Sequence, residues 1–212
     1  MKKKFIFKNS QFYEKNIIYF SKNLRSILNK LRLKPKNLQV LDFGCGNCLL
    51  HRYIKFRQIF LHDPLLKEFK VPNDKNFKIF KSKIDIYKSK VKFDLIIINS
   101  VVQYIRPQLI KILISKLENK LLNGGIILIS DIPQKSRLLE ILNIRNLSLN
   151  LKLLFYFKFS SMYLKSDFFT YKKDFFQKLK LVSKKKYIFL KNLNYINDRY
   201  SLLICNAKNK YI

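Results

Sequence analysis

The fold of this chain is decided by the stretch Val40-Leu41-Asp42-Phe43-Gly44-Cys45-Gly46-Asn47-Cys48-Leu49-Leu50. Its first half completes a short apolar run, which predicts a buried strand over 38–43. Two glycines follow the strand, and the apolar spacing over 49–56 predicts a helix. A strand, a glycine turn and a helix in that order are typical of the first unit of a doubly wound α/β sheet.

The scarcity of glycine makes this turn informative. The chain has 212 residues but only four glycines, in a composition rich in Lys, Asn, Ile, Phe and Tyr that is typical of an AT-rich genome. Glycine persists where φ is positive or where the backbone must come close to a ligand. Gly124 and Gly125 are explained as the cap and turn that end a helix, whereas Gly44 and Gly46 indicate a bound ligand.

Helices and strands alternate on both sides of this unit. The apolar spacing predicts helices over 11–33, 106–122, 136–150 and 168–181, and strands over 58–62, 77–82, 93–99, 126–130, 187–190 and 200–205. The alternation over the first 130 residues predicts a parallel sheet with helices on both faces. We therefore predict an α/β fold with a Rossmann-like, doubly wound, seven-stranded sheet, mostly parallel, that ends in an antiparallel C-terminal hairpin.

The net charge is +31, from 44 Lys and Arg against 13 Asp and Glu. A charge of this size favours association with RNA, DNA or an anionic membrane. The basic residues are spread along the whole chain, and Arg, which makes bidentate contacts to bases and phosphates, is scarce beside Lys. Biased composition is therefore the favoured explanation of the charge, and a polyanionic partner is the alternative.

The cysteines and the apolar stretches favour a cytoplasmic protein. Cys45, Cys48 and Cys205 are too few for a disulfide framework. The C-x-x-C pattern of Cys45 and Cys48 has no second pair, so we expect no metal site. No stretch reaches the roughly 18 apolar residues that a membrane span requires.

The residues around the glycine turn narrow the choice of ligand class. Leu49 stands where a dinucleotide-binding turn would have its third glycine, and no Gly-Lys-Ser/Thr follows as in a P-loop. Asp42 would repel a diphosphate but suits a cationic group. Asp63 ends the second strand about 20 residues later, where an acid accepts hydrogen bonds from ribose hydroxyls. S-adenosylmethionine is such a ligand, because it joins a ribose to a cationic amino-acid end and has no phosphate.

Three segments and the single residue Asp63 together resemble class I S-adenosylmethionine-dependent methyltransferases, over roughly residues 12 to 206. Residues 40–50 are similar to that family's acid-x-Gly-x-Gly loop, and Asp63 matches its second-strand acid. Residues 93–104 (FDLIIINSVVQY) are similar to its fourth strand and following loop, and 121–129 (LLNGGIILI) to its glycine turn into the fifth strand, with Asn123 in place of a proline. The resemblance implies one methyltransferase domain over 1–212. Its parts would be an N-terminal helical segment (1–36), a cofactor-binding core (37–131), a helical substrate-cover region (132–182) and a terminal hairpin (183–212).

The resemblance also implies roles for individual residues toward the cofactor S-adenosyl-L-methionine. The backbone of Gly44, Cys45 and Gly46 would approach the methionine part, Asp42 would polarise its amino end or order the loop, and Asp63 would hold the ribose. No acid matches the family's third-strand acid, so we expect backbone contacts at Lys83 and Ile84 near the adenine. Asn99 and Ser100 would lie beside the transferring methyl group.

The sequence says less about the acceptor of the methyl group than about the cofactor. The loop after the fourth strand lacks the Asn-Pro-Pro-Tyr pattern of amino-group methylases, and no Pro-Cys nucleophile occurs, so the chain resembles the small-molecule branch of the family. Asp131, Gln103 and Tyr104 are the candidate catalytic residues, because a hydroxyl acceptor benefits from a general base. His62 is a further candidate, although a histidine at the end of a strand is more often incidental. His51 is interpreted as a structural residue. The expected acceptor is a hydroxyl of a saccharide or a lipid-linked compound.

Three alternatives are open from the sequence. The apolar and aromatic segment 147–159 (LSLNLKLLFYFKF) is either a lid that meets a hydrophobic or membrane-presented acceptor, or an ordinary helix packed on the sheet. The charge leaves an RNA methyltransferase as the second hypothesis. A non-catalytic protein that binds the cofactor with the same fold is the third.

Overall fold

A computed structural model describes residues 10–66, 71, 74–134, 169–180, 185–193 and 199–206 of the chain. The seven strands are β1 (Gln39–Phe43), β2 (Gln58–His62), β3 (Phe77–Ile79), β4 (Phe93–Asn99), β5 (Leu121–Pro133), β6 (Lys185–Lys191) and β7 (Arg199–Asn206). The described α-helices are α1 (Ser10–Lys30), α2 (Leu50–Tyr53), α3 (Lys83–Lys88), α4 (Pro107–Glu118) and α5 (Lys173–Lys180).

The strands form one sheet in the order β3-β2-β1-β4-β5-β7-β6. β1 to β5 run parallel, while β7 is antiparallel to both β5 and β6. The order reverses between β1 and β4, which places the carboxyl ends of these two strands at the switch point where ligands bind in such sheets. The predicted α/β fold with an antiparallel C-terminal hairpin is confirmed.

Alternate residues of the strands face two different core layers, because side chains in a strand point to opposite faces. Val40 of β1 packs in the layer that contains Phe20 and Leu24 of α1. Leu41 packs in the opposite layer, with Ile110 of α4. Asp42 has the same parity as Val40, so its carboxylate points toward the α1 and α2 side of the sheet.

The predicted helix end at Asn123-Gly124-Gly125 is wrong. α4 ends at Glu118, and β5 already begins at Leu121. Phe93 pairs with Leu121 but Leu95 pairs with Ile126, so the two glycines lie in an irregular part of the strand. Gly124 has φ +82°, and a Cβ on Gly125 would come within 2.7 Å of the Phe93 carbonyl oxygen. These glycines bend a strand; they do not cap a helix.

Other element bounds differ modestly from the sequence predictions. α2 ends at Tyr53 instead of Phe56, and β3 ends at Ile79 instead of Ser82 because Ser82 caps α3. α5 falls inside the predicted helix over 168–181. The predicted helix over 136–150 and the apolar segment 147–159 lie outside the described residues. Among the described residues, no helix is both long enough and apolar enough to cross a membrane.

Candidate active site

The glycine loop after β1 is held against the end of β2. The amides of Gly44 and Cys45 donate to the carbonyl oxygen of His62, at 2.6 and 3.3 Å. Gly44 has φ +86° and Gly46 has φ +53°, which side chains rarely tolerate. A Cβ on Gly44 would lie 2.2 Å from Cγ2 of Val101 in the loop after β4. The two loops at the switch point therefore meet with no room for a side chain at Gly44.

Asp63 joins the ends of β1 and β2. Its Oδ2 accepts a hydrogen bond from the Gly46 amide at 3.0 Å, and its Oδ1 accepts one from the Leu65 amide at 2.8 Å. The residue is half-buried. The structure thus places this carboxylate beside the glycine loop.

Asp42 lies beneath the same loop and is paired with His51 of α2. Nε2 of His51 is 2.9 Å from Oδ2 of Asp42, and both side chains are almost fully buried. Nδ1 of His51 is also buried and has no hydrogen-bond partner among the described residues. The sequence alone indicated a structural role for His51, and no pattern in it predicted this pairing.

The two loop cysteines are in contact. Sγ of Cys45 and Sγ of Cys48 are 3.8 Å apart, both residues are buried, and both thiols are reduced. The hydrogen bond with Cys48, followed by burial and the nearby charge of Asp42, raises the pKa of the Cys45 thiol well above its usual range. Within the described ranges, no group of three or more His, Cys, Asp or Glu side chains is arranged to hold a metal ion.

Tyr13 of α1 also lies close to the loop cysteines, a position that the sequence alone did not predict. It packs against the core layer that includes Cys45 and Cys48. Burial, followed by the negative charges of Asp42 and Asp63 and the nearby thiols, raises the pKa of its hydroxyl. A phenol 29 residues before Asp42 carries no local sequence signal, because only the packing of α1 brings it here.

The residues predicted near an adenine, Lys83 and Ile84, begin α3. Ser82 caps this helix: its side chain accepts from the Asp85 amide at 3.2 Å, and Asp85 Oδ2 accepts from the Ser82 amide at 2.8 Å. Lys83 Nζ lies 5.9 Å from the centre of the Phe43 ring, so the start of α3 adjoins the end of β1. Ile84 is 60% exposed.

The ends of β4 and β5 are strained and bonded to each other. Ser100 and Asp131 both have positive φ, +57° and +65°, although neither is glycine. Ser100 Oγ donates to Asp131 Oδ2 at 2.5 Å, and the Ser100 amide donates to the Ser130 carbonyl at 3.1 Å. Such backbone conformations persist where surrounding contacts enforce them, often at functional sites.

Asp131 is also paired with a residue that the sequence analysis did not select. Arg199, the first residue of β7, places Nη1 2.8 Å from Asp131 Oδ2, and the two side chains are 14% and 4% exposed. The guanidinium is contributed by the antiparallel hairpin, far away in sequence. The sequence offered one signal for Arg199: arginine is scarce in this lysine-rich chain, so each arginine is a candidate for a specific role.

Gln103 and Tyr104 lie in a short 3-10 turn (Val102–Tyr104) next to this pair. Gln103 is buried, and its Nε2 donates to the Ser100 carbonyl at 2.9 Å. Its Oε1 is buried without a hydrogen-bond partner among the described residues. Partial burial raises the pKa of Tyr104, a hydrogen bond with Gln103 and the charge of Arg199 oppose the rise, and Asp131 adds to it.

The predicted residues therefore fall into two groups along the carboxyl edge of the sheet. The first surrounds the ends of β1, β2 and β3, and contains Asp42, Gly44, Cys45, Gly46, Asp63, Lys83 and Ile84. The second surrounds the ends of β4 and β5, and contains Asn99, Ser100, Gln103, Tyr104 and Asp131. Gly44 and Val101 are the point where the two groups touch.

This strand order, with an antiparallel seventh strand between the fifth and sixth, is the fold of class I S-adenosylmethionine-dependent methyltransferases. Among solved structures, the chain is similar to a magnesium protoporphyrin IX methyltransferase from Synechocystis PCC 6803 with bound SAH, at TM-score 0.58 and 14% identity over 93% of this chain and 88% of that one.

Two further solved structures are similar to this chain over most of its length. The plantazolicin methyltransferase in complex with SAH matches at TM-score 0.61 and 14% identity, over 93% of this chain and 87% of that one. An S-adenosylmethionine-dependent methyltransferase from Clostridium acetobutylicum ATCC 824 matches at TM-score 0.61 and 14% identity, over 95% and 96% of the two chains. No protein-family model and no curated sequence matches the chain. At this identity the likeness establishes the fold.

Proposed function

We propose that this protein is an S-adenosylmethionine-dependent methyltransferase that acts in the cytoplasm on a small-molecule acceptor. The observation that carries the proposal is the 3.0 Å hydrogen bond from the Gly46 amide to Asp63, which sets a carboxylate beside a glycine loop at the switch point of the sheet. The similar solved structures include a magnesium protoporphyrin IX methyltransferase and a plantazolicin methyltransferase, each with SAH. Both names denote small-molecule or peptide substrates.

The charges of the site suit this cofactor. In a chain of net charge +31, the glycine loop is flanked by two carboxylates, Asp42 and Asp63. A diphosphate would be repelled there, whereas a cationic ligand would be attracted. We assign Asp42 and the backbone of residues 44–46 to the methionine part, Asp63 to the ribose, Lys83 and Ile84 to the adenine, and Asn99 and Ser100 to the region of the methyl group.

The cofactor would supply a methyl group already activated on a sulfonium, so the protein's contribution is mainly positioning. Asp131 Oδ2 is already engaged by both Arg199 and Ser100. Gln103 Oε1 is the atom suited to accept a hydrogen bond from an acceptor hydroxyl. We propose that Gln103 orients the hydroxyl of a saccharide or lipid-linked compound, with Tyr104 at the mouth and Asp131 supplying negative charge.

Calorimetric titration with SAH tests the cofactor assignment. We expect binding by the natural chain, and about tenfold weaker binding or worse by Asp63→Ala, because charge-assisted hydrogen bonds are lost. Asp74→Ala is the matched control, since Asp74 Oδ1 also accepts an amide hydrogen bond in a loop, from Asn76 at 2.9 Å, but lies before β3. Absence of binding by the natural chain would disprove the proposed function.

The acceptor class is tested by incubating the protein and methyl-labelled S-adenosylmethionine with an extract of its source organism. Label in the polar-metabolite or lipid fraction would support the small-molecule assignment. Label in RNA would support the RNA methyltransferase hypothesis, which the net charge motivates. Cofactor binding without transfer to any fraction would favour a non-catalytic binding protein. Asp63→Ala serves as the inactive control.

A further inference from the structure

We propose that His51 is a positioning residue for the cofactor, which acts through Asp42 and serves the amino-acid end of the ligand but not its adenosine end. This inference rests on the proposed function. His51 lies in α2, beneath the glycine loop, where no sequence motif assigned it a role. Its contact with Asp42 is the observation that supports the proposal.

The proton on the contact can be placed. Oδ2 of Asp42 lies 2.9 Å from Nε2 of His51, and a carboxylate oxygen only accepts hydrogen bonds. The contact is therefore a hydrogen bond that the Nε2–H of His51 donates to the Asp42 carboxylate. A buried carboxylate without a donor is costly, so His51 stabilises the Asp42 carboxylate beneath the loop.

The other side of the imidazole is apolar. The ring meets Phe56 edge-on at 6.1 Å and Phe77 edge-on at 5.5 Å between ring centres. Nδ1 has no hydrogen-bond partner among the described residues. An imidazole can donate this hydrogen bond as a neutral group, whereas a lysine or arginine partner would bring a fixed positive charge next to Asp42.

The Asp42 carboxylate lies on one side of the glycine loop only. Asp42 belongs to β1 and faces α2, whereas Asp63 follows β2 and is tied to Gly46 and Leu65. Because His51 engages Oδ2 of Asp42, the ammonium group of the ligand is assigned to Oδ1. Loss of the His51 donor should therefore weaken ligands that have the amino-acid portion, and should spare ligands that consist of the adenosine portion alone.

Two probes separate the two ends of the ligand. SAH contains both portions, and 5′-deoxy-5′-methylthioadenosine lacks the amino-acid portion. His51→Phe removes the donor and keeps a ring against Phe56 and Phe77, while His51→Gln keeps a neutral donor at the position of Nε2. Affinities for both probes are measured by calorimetry for the natural chain and both variants, with thermal unfolding as a check on folding.

We expect His51→Phe to weaken SAH binding by about tenfold or more, the effect of losing a hydrogen bond to a charged group. Methylthioadenosine binding should stay within about twofold, and His51→Gln should restore most of the SAH affinity. Equal loss of both probes, no loss of either, or no restoration by His51→Gln would overturn the proposal.

A companion variant covers the case in which His51→Phe does not fold. Asp42→Asn removes the charge and keeps an oxygen that can face His51. We expect the same selective loss of SAH affinity, and unchanged selectivity between the two probes would overturn the proposal. Failure of the natural chain to bind either probe would instead disprove the proposed function, so the two failures are distinguishable.

Discussion

The guanidinium of Arg199 lies 2.8 Å from the carboxylate of Asp131, and this ion pair joins the first residue of β7 to β5. The register of these two strands shifts between Ile129 and Ile132, where Asp131 adopts φ +65°. Arg199 Nη1 also lies 3.4 Å from the Asp131 carbonyl oxygen. The pair therefore closes an irregularity in the sheet and fixes the carboxylate next to Ser100 at the end of β4.

Removing the Arg199 guanidinium should destabilise the fold. Arg199→Met would leave the Asp131 charge buried without its cation, which typically costs about 3 kcal/mol. The free energy of unfolding from urea denaturation measures the loss. Arg57→Met is the matched control, because Arg57 is 4.0 Å from Asp94 with side chains 59% and 30% exposed. An exposed pair contributes about 0.5 kcal/mol or less, so equal losses in the two variants would contradict this prediction.

Gly44→Ala should abolish cofactor binding, because the new Cβ would overlap Cγ2 of Val101 at 2.2 Å in a backbone conformation with φ +86°. Gly124→Ala is a sharp control: its φ is +82°, but nothing lies within 4 Å of the new Cβ. The control should lose only about 1–2 kcal/mol of stability from backbone strain and bind SAH normally.

The double variant Gly44→Ala with Val101→Ala separates the overlap from the strain. Val101→Ala removes Cγ2, so part of the SAH affinity should return. If the double variant binds no better than Gly44→Ala alone, the loss comes from backbone strain and the steric explanation is wrong.

The loop thiols should be unreactive in the folded protein. The thiolate is the nucleophile, and the pKa of Cys45 is raised by its hydrogen bond with Cys48 and by burial. At pH 8 we expect alkylation by iodoacetamide to be slower by at least about a hundredfold than in the unfolded chain. Intact mass measures it, with three adducts expected after denaturation. Rapid native labelling of Cys45 would contradict the buried, protonated thiol.

Mild acid should destabilise the protein through His62. Burial lowers the pKa of this histidine below 6.5, although a hydrogen bond to the Phe80 carbonyl and the charge of Asp63 oppose the shift. Below pH 6.5 the unfolded chain binds a proton that the folded chain does not, so stability falls as pH falls toward the folded pKa, by at most about 1.4 kcal/mol per pH unit. His62→Gln should flatten this slope in denaturation series from pH 7 to pH 5. An unchanged slope would show that His62 is already protonated or is solvated when folded.

Much of the architecture was predictable because it depends on local patterns. The strands over 58–62 and 93–99 were predicted with their observed bounds, since short apolar runs bounded by polar residues favour buried strands. The glycine loop was predictable because positive φ leaves few choices of residue. The Asn123-Gly124-Gly125 error has the same origin: glycine marks unusual backbone, but a helix end and a strand bulge require it equally.

The sequence by itself determined the fold class, the glycine loop and the two acids, Asp42 and Asp63, because spacing along one strand–loop–helix unit encodes them locally. The tertiary structure alone decided their partners. His51 reaches Asp42 because α2 folds back under its own strand, and Arg199 reaches Asp131 because β7 inserts antiparallel beside β5. A charge that crosses 68 residues of sequence to find its partner leaves no local pattern, since burial and register, not spacing, bring the two groups together.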